Sequence, residues 1–164
     1  MIFDFNQDLL DKHLLKIDQS ILLKNNNYKI FGLLDNAFQD LIGHKLFTVL
    51  RYDKKSLELE RIYTNNPLNY PLNGTKKLTN TDWSKKVLAD GKIYIGYNSR
   101  DIKSSFPDYE LIEMLGCRSV MNIPLIIKGN VVGSVNLLNI ENWYNNHQVF
   151  VANILSSKVV NLIK

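Results

Sequence analysis

Apolar residues near the start of the chain recur at helical spacing. Phe5, Leu9, Leu10, Leu14, Ile17 and Ile21 fall three or four residues apart and line one face of an amphipathic helix. Asn25-Asn26-Asn27 breaks the pattern. Ile30, Phe31, Leu33, Leu34, Ala37, Phe38, Leu41 and Ile42 then predict a second, more apolar helix, with Gly43 suited to its C-terminal end. From Lys45 the period shortens. Lys45 to Tyr52 is rich in β-formers, Asp53 to Ser56 is turn chemistry, and Leu57 to Thr64 alternates with period two. These segments predict a hairpin with one solvated face, ended by Pro67, which cannot donate to a strand ladder.

Residues 69–77 carry Pro71 and Gly74 and read as a loop. Thr81 or Asp82 can cap a helix holding Trp83, Val87 and Leu88, closed by Gly91. Lys92 to Gly96 predicts a short strand, 98–106 an irregular stretch or one helical turn, and Asp108 to Leu115 a short helix before Gly116. Ser119 to Ile127 and Val131 to Leu138 are two strong strands around the turn signal Lys128-Gly129-Asn130. Residues 145–164 form a closing amphipathic helix capped by Asn145 or Asn146, with Trp143 and Tyr144 stapling its entry to the sheet.

The pattern is that of one α+β domain over 1–164: N-terminal helices in 1–42, a sheet in 44–138 and a C-terminal helix in 145–164. The two hairpins put a central antiparallel sheet of five or six strands at its middle. Terminal helices would cover one face, and the intervening segment 80–116 the other face or an edge. The length allows a full core without disulfides or a structural metal. A net charge of +4 is spread as short lysine pairs (54–55, 76–77, 85–86) with acids between them. Nucleic-acid readers cluster such charge into a stripe, so no nucleic-acid partner is expected. The single cysteine, Cys117, cannot form an internal disulfide and fits a reducing, cytoplasmic setting. Met1 to Asp8 lacks the character of a secretory leader, and no apolar run is long enough to span a membrane.

Two stretches carry a resemblance. Gly116-Cys117-Arg118-Ser119-Val120-Met121-Asn122-Ile123-Pro124-Leu125 leads, through Lys128-Gly129-Asn130, into Val131-Val132-Gly133-Ser134-Val135-Asn136-Leu137-Leu138. A strand ending in Pro-Leu, a polar turn, a strand with Gly after two apolar residues and a long final helix resemble the second half of a GAF domain. The strands at 46–52 and 57–64 resemble its first hairpin, so the likeness covers about residues 20–164. It implies an antiparallel sheet backed by terminal helices that often pair as a homodimer. It also implies a ligand pocket under the middle segment, which in that family takes cyclic nucleotides, tetrapyrroles, amino-acid-like or other small molecules. The branch that reduces free methionine sulfoxide uses several cysteines and an acidic residue before Pro-Leu. Here one cysteine is present and that strand reads Ser119-Val120-Met121-Asn122.

Asn122 and Asn136 interrupt otherwise apolar strands. A three-residue loop at 128–130 would set them opposite each other on one face, able to read a polar ligand or simply to bond to each other; a two-residue turn would put them out of register. Arg51 could fork onto an anion or pair with Glu58 or Glu60 across the hairpin. Trp83, Tyr94, Tyr97 and Phe106 lie in the covering segment and could wall a cavity or pack as core. Tyr63 and Ser119 complete the candidate ligand-binding set. No catalytic residue, metal site or cofactor is expected. His13, His44 and His147 lie on different elements, and Cys117 as a redox nucleophile would need a base and a lowered pKa. The expectation is a small-molecule-binding sensor module, its ligand unidentified, acting on a separate output protein. The alternatives are a dimerisation module with a filled pocket and a thiol-dependent reductase.

Overall fold

The computed structural model describes residues 5–163. Met1 to Asp4, half of the segment read above as no leader, and Lys164 lie outside them. Among the described residues, strands β1 (Leu46–Asp53), β2 (Glu58–Thr64), β3 (Thr75–Lys77), β4 (Tyr94–Gly96), β5 (Ser119–Ile127) and β6 (Asn130–Asn139) form one sheet. Their order is β3-β2-β1-β6-β5-β4, and every pair is antiparallel. The helices are α1 (Gln7–Leu22), α2 (Asn27–Leu41), α3 (Asp82–Ser84), α4 (Ser99–Ser105), α5 (Tyr109–Met114) and α6 (Val149–Val160). The fold is α+β, as the hydrophobic pattern predicts.

Polar side chains start the helices where the sequence offers them. Asn6 and Asn26 accept from the backbone N–H groups of Leu9 and Lys29, at 3.0 and 2.8 Å. Thr81 and Ser84 form a reciprocal capping box at α3. Asn145 and Gln148 form another at the 3₁₀ turn before α6. Tyr144 is buried in the core that the sheet shares with the terminal helices, and both it and Trp143 also hydrogen-bond to the end of α2. Trp143 Nε1 donates to Ile42 O and the Tyr144 hydroxyl to Gly43 O, each at 2.9 Å, so both close the C-terminal end of α2. Gly43 takes φ +92° there, and a Cβ would sit 2.9 Å from the Trp143 ring.

The sheet has two apolar faces. Phe47, Val49, Met121, Ile123, Leu125, Val135 and Leu137 point to one, where Leu10, Ile17, Phe31, Leu34, Phe38, Ala152 and Leu155 of α1, α2 and α6 bury them. Leu46, Leu50, Leu59, Val120 and Leu138 point to the other, packed on Trp83, Val87, Leu88, Ile102, Phe106 and Ile112. Residues 78–116 thus form a cover over the second face.

Several segments differ from the sequence reading. The stretch 69–77 is not all loop, because Thr75–Lys77 pairs with Glu58–Glu60 as an edge strand. Three rungs are too short for an alternation to show. Residues 99–105 make a helix of two turns, started by Asn98, whose side chain accepts from Asp101 N. The helix at 82–88 loosens after one turn into a π-helical stretch, Lys85–Ala89.

Candidate functional site

Two β-bulges decide which side chains meet on the covered face. The first is in β2. Leu50 opposes Arg61 and Val49 opposes Tyr63, so Ile62 is the extra residue. Strict alternation would put Arg61 and Tyr63 on the same face. The bulge sends Arg61 under the cover with Leu59 and turns Tyr63 to the helices, where its hydroxyl donates to Asp35 at 2.8 Å. Burial and that carboxylate push the Tyr63 pKa upward.

The second bulge is in β6. The β5–β6 turn is not the three-residue loop expected: Ile127 pairs with Asn130, leaving Lys128 and Gly129 as a two-residue turn. Both have positive φ, +49° and +79°, the conformation of the tight hairpin turn that follows strand twist. Alone this turn would misalign the two asparagines. Leu125 opposes Gly133 while Ile126 opposes Val131, so Val132 is bulged and the register is restored. Asn122 and Asn136 therefore stand directly opposite each other. Gly133 follows from the same geometry, since a Cβ there would lie 2.2 Å from Leu50 O.

The two amides anchor a buried network. Asn122 Nδ2 donates to Asn136 Oδ1 at 2.7 Å, and the Ser134 hydroxyl donates to the same oxygen at 3.0 Å. Asn136 Nδ2 reaches Thr48 Oγ1 at 3.2 Å. Above the network lies a cavity of about 40 Å³. Its walls are apolar on the sheet (Leu46, Leu50, Val120, Leu138) and aromatic or aliphatic on the cover (Trp83, Phe106, Ile112). Its polar lining is Thr48, Asn122, Asn136, Arg61, Tyr70, Lys76 and Asp108.

The charged members are ordered by one another. The Arg61 guanidinium lies 4.9 Å over the Tyr70 ring, and its Nη1 donates to Pro71 O at 3.0 Å. The Tyr70 hydroxyl donates to Asp108 at 2.7 Å. Lys76 Nζ lies 5.6 Å over the Trp83 ring, which in turn packs on Phe106 at 5.6 Å. Desolvation lowers the pKa of Lys76 and of Arg61, and Asp108 opposes both shifts. Lys76, Trp83 and Phe106 also line a neighbouring recess of about 60 Å³, so these three side chains form the wall between cavity and recess.

Among the described residues, five buried side-chain polar atoms lack a hydrogen-bond partner. Three belong to residues lining this one cavity: Arg61 Nε, Trp83 Nε1 and Asn122 Oδ1. Leaving one such group unpaired in the interior costs about 1–3 kcal/mol. A roomier groove of about 650 Å³ runs between the β1–β2 hairpin, Lys85 to Ala89 and the β5–β6 turn, but none of the five atoms lines it.

Four of the nine residues nominated from sequence line the cavity: Trp83, Phe106, Asn122 and Asn136. Tyr94 packs in the same core but spends its hydroxyl on Ser105 at 2.9 Å. Arg51 is exposed on β1 and faces Glu60 across the hairpin at 3.5 Å, the pairing weighed against a binding role. Tyr97 is largely exposed beyond the end of β4. Ser119 points to the helix side of β5 and donates to Ile140 O at 2.6 Å. The residues missed are Arg61, Tyr70, Lys76, Asp108 and Thr48. Arg61 had a signal, an arginine on the apolar register two residues after Leu59. Tyr70 and Lys76 lay in a stretch read as loop, and Lys76 looked like half of a solubilising pair.

Cys117 is fully buried, and its thiol is pushed up to about 11 by desolvation, against a partial opposing pull from Lys45. It is a protonated thiol at neutral pH. No group of three or more His, Cys, Asp or Glu that could hold a metal occurs among the described residues. No helix there is long and apolar enough to cross a membrane.

Comparison with solved structures agrees with this architecture. The GAF domain of an Acinetobacter phosphoenolpyruvate-protein phosphotransferase superposes with a TM-score of 0.74 at 12% identity, covering 95% of this chain and 90% of that one. The fold is the GAF fold. The GAF domain of a two-component sensor histidine kinase from Bacillus halodurans gives a TM-score of 0.67 at 14% identity over 82% of this chain and 91% of that one. Residues 122 to 287 of a methyl-accepting chemotaxis protein give 0.67 at 17% identity over 93% and 96%. Identities this low establish the fold and not the ligand. No family model and no curated protein matches the sequence.

Proposed function

We propose that this GAF-fold chain is a small-molecule-binding sensor module whose ligand lies between the sheet and the cover. The observation that carries it is the gathering of three orphaned polar atoms on one cavity. The parent proteins of the structural neighbours, a sensor kinase and a chemotaxis protein among them, support a signalling role, with a partner or an output domain receiving the signal. The test is thermal melting in the small-molecule fraction of a cell extract. The native chain gains melting temperature, and Asn122→Leu, which removes one orphaned acceptor, gains none. An equal gain in both chains refutes the assignment of the site.

One observation favours a second reading. About 40 Å³ holds a water molecule and little more, whereas ligand pockets usually enclose several hundred. A chain with this cavity permanently closed would serve as a dimerisation module. Leu15, Leu22 and Phe150 are exposed on the terminal helices and supply an apolar surface for it. Light scattering separates the two: a homodimer in which no small molecule shifts the melting temperature supports the filled-pocket module.

A further inference from the structure

The chemistry of the cavity narrows the class of its ligand. This step rests on the binding reading above and goes past it. Two cations, Arg61 and Lys76, and one carboxylate, Asp108, line the space. Asp108 already accepts the Tyr70 hydroxyl and Tyr70 already carries the Arg61 guanidinium, so the carboxylate is spent on holding the site together. With Lys76 protonated the lining has a surplus of one positive charge. A monoanion cancels it. A dianion would overshoot beside Asp108, and a cation would add to the excess.

The orphaned donors give the anion its shape. Pro71 O occupies Nη1 of Arg61. The edge that remains is Nε with Nη2, which takes a planar carboxylate through two parallel hydrogen bonds. Trp83 Nε1, likewise without a partner, is a third donor in the lining. The rest of the surface is Leu46, Leu50, Val120 and Leu138 below, with the neutral Thr48, Asn122 and Asn136 among them, and Phe106 and Ile112 above, with no further charge. It suits a flat or branched hydrocarbon body. We infer that the ligand is a small monocarboxylate with an apolar body, its carboxylate on Arg61 and Lys76 and its body between the sheet and Trp83.

Entry requires room that the closed form lacks. The wall between the cavity and the outer recess is Lys76, Trp83 and Phe106. Lys76 rests on the Trp83 ring, so the cation that meets the ligand also touches the side chain that must move. Binding should therefore change Trp83 emission.

The experiment is isothermal titration calorimetry of the full chain with benzoate, its neutral isostere benzamide and its cationic relative benzylamine, followed in parallel by tryptophan fluorescence in a Trp143→Phe background. Benzoate is expected to bind with a Kd of order 0.1–1 mM, as for a good fragment, and to shift Trp83 emission; benzamide should bind at least tenfold more weakly and benzylamine not at all. Arg61→Lys keeps the charge and loses the fork, and should weaken benzoate about tenfold. Lys76→Met, at the partly exposed edge strand, should weaken it similarly without unfolding the chain, and Lys76→Arg should restore it. If benzamide or benzylamine binds as well as benzoate and Asn122→Leu abolishes that binding, the cavity takes ligands but the carboxylate assignment is wrong. If none of the three binds and Trp83 emission never changes, the monocarboxylate class falls, while the extract melting assay above decides the binding reading.

Discussion

The two facing asparagines, alike in burial, should respond oppositely to the same substitution. Asn136→Leu strips the acceptor from Asn122 Nδ2 and from the Ser134 hydroxyl and removes the donor to Thr48 Oγ1. Each buried group left unpaired costs about 1–3 kcal/mol, and water in the neighbouring cavity can relieve one of them, so the expected loss is about 2–5 kcal/mol. Asn122→Leu loses one hydrogen bond, worth about 1 kcal/mol net, and Asn136 Oδ1 keeps the Ser134 hydroxyl. It also deletes the orphaned Asn122 Oδ1, recovering about 1–3 kcal/mol, and the added methyl bulk has an adjoining void of about 40 Å³ to enter. The net expectation runs from neutral to about 2 kcal/mol of added stability. Urea unfolding followed by circular dichroism reads both. With a slope of about 1–3 kcal/mol per molar, the midpoints should separate by about 1 M or more, Asn122→Leu lying at or above the native chain. If Asn122→Leu costs as much as Asn136→Leu, the Asn122 oxygen is not idle and the reasoning fails.

Asp35 carries a second test, since its carboxylate bridges His44 Nε2 and the Tyr63 hydroxyl, each at 2.8 Å, between α2 and the sheet. Asp35→Ala should cost about 3–5 kcal/mol in the same urea assay, and a cost under about 1 kcal/mol would show that the bridge is not structural. Gly133→Ala should lower the melting temperature by several degrees or abolish soluble protein, because the new Cβ meets the Leu50 carbonyl at 2.2 Å; an unchanged melt would mean that β1 and β6 can part there. Cys117 predicts an alkaline effect. Its folded pKa of about 11 lies above the ordinary thiol value of 9.0, so its contribution is full below pH 9 and is lost as pH rises from 9 to 11. Cys117→Ala should flatten the stability profile in that window, and unaltered steepness would show that Cys117 does not contribute to the loss.

The long strands, the two N-terminal helices and the two-sided arrangement were legible because each strand alternates or each helix repeats over enough residues to average out exceptions. The site was legible only in part. Asn122 and Asn136 were found opposite each other, but by a route the structure replaces: the turn is one residue shorter than expected and the bulge at Val132 supplies the missing residue. The bulge at Ile62 misled in the other direction, placing Tyr63 in the site and hiding Arg61. Such single-residue insertions leave no periodic trace, yet each reverses the facing of every residue beyond it. Tyr70 and Lys76 lay in a stretch read as loop and Asp108 at the start of a short helix, and the three come together only through tertiary packing.

The first part of the cover, residues 78–93, begins and ends at opposite margins of the sheet, following β3 at one border and preceding β4 at the other. Six strands set those borders about 24 Å apart. Residues 78–93 cross this distance with eight of them coiled at 82–89, which take up about 12 Å, and eight more that could stretch across about 26 Å. The crossing is a slack hammock moored at both ends, not a flap with one free tip. It can admit a guest only by sagging outward at midspan, beside Trp83, and the strain of doing so falls on the moorings. Thr75–Lys77 and Tyr94–Gly96, each held by three rungs on one side, are where that strain would be felt.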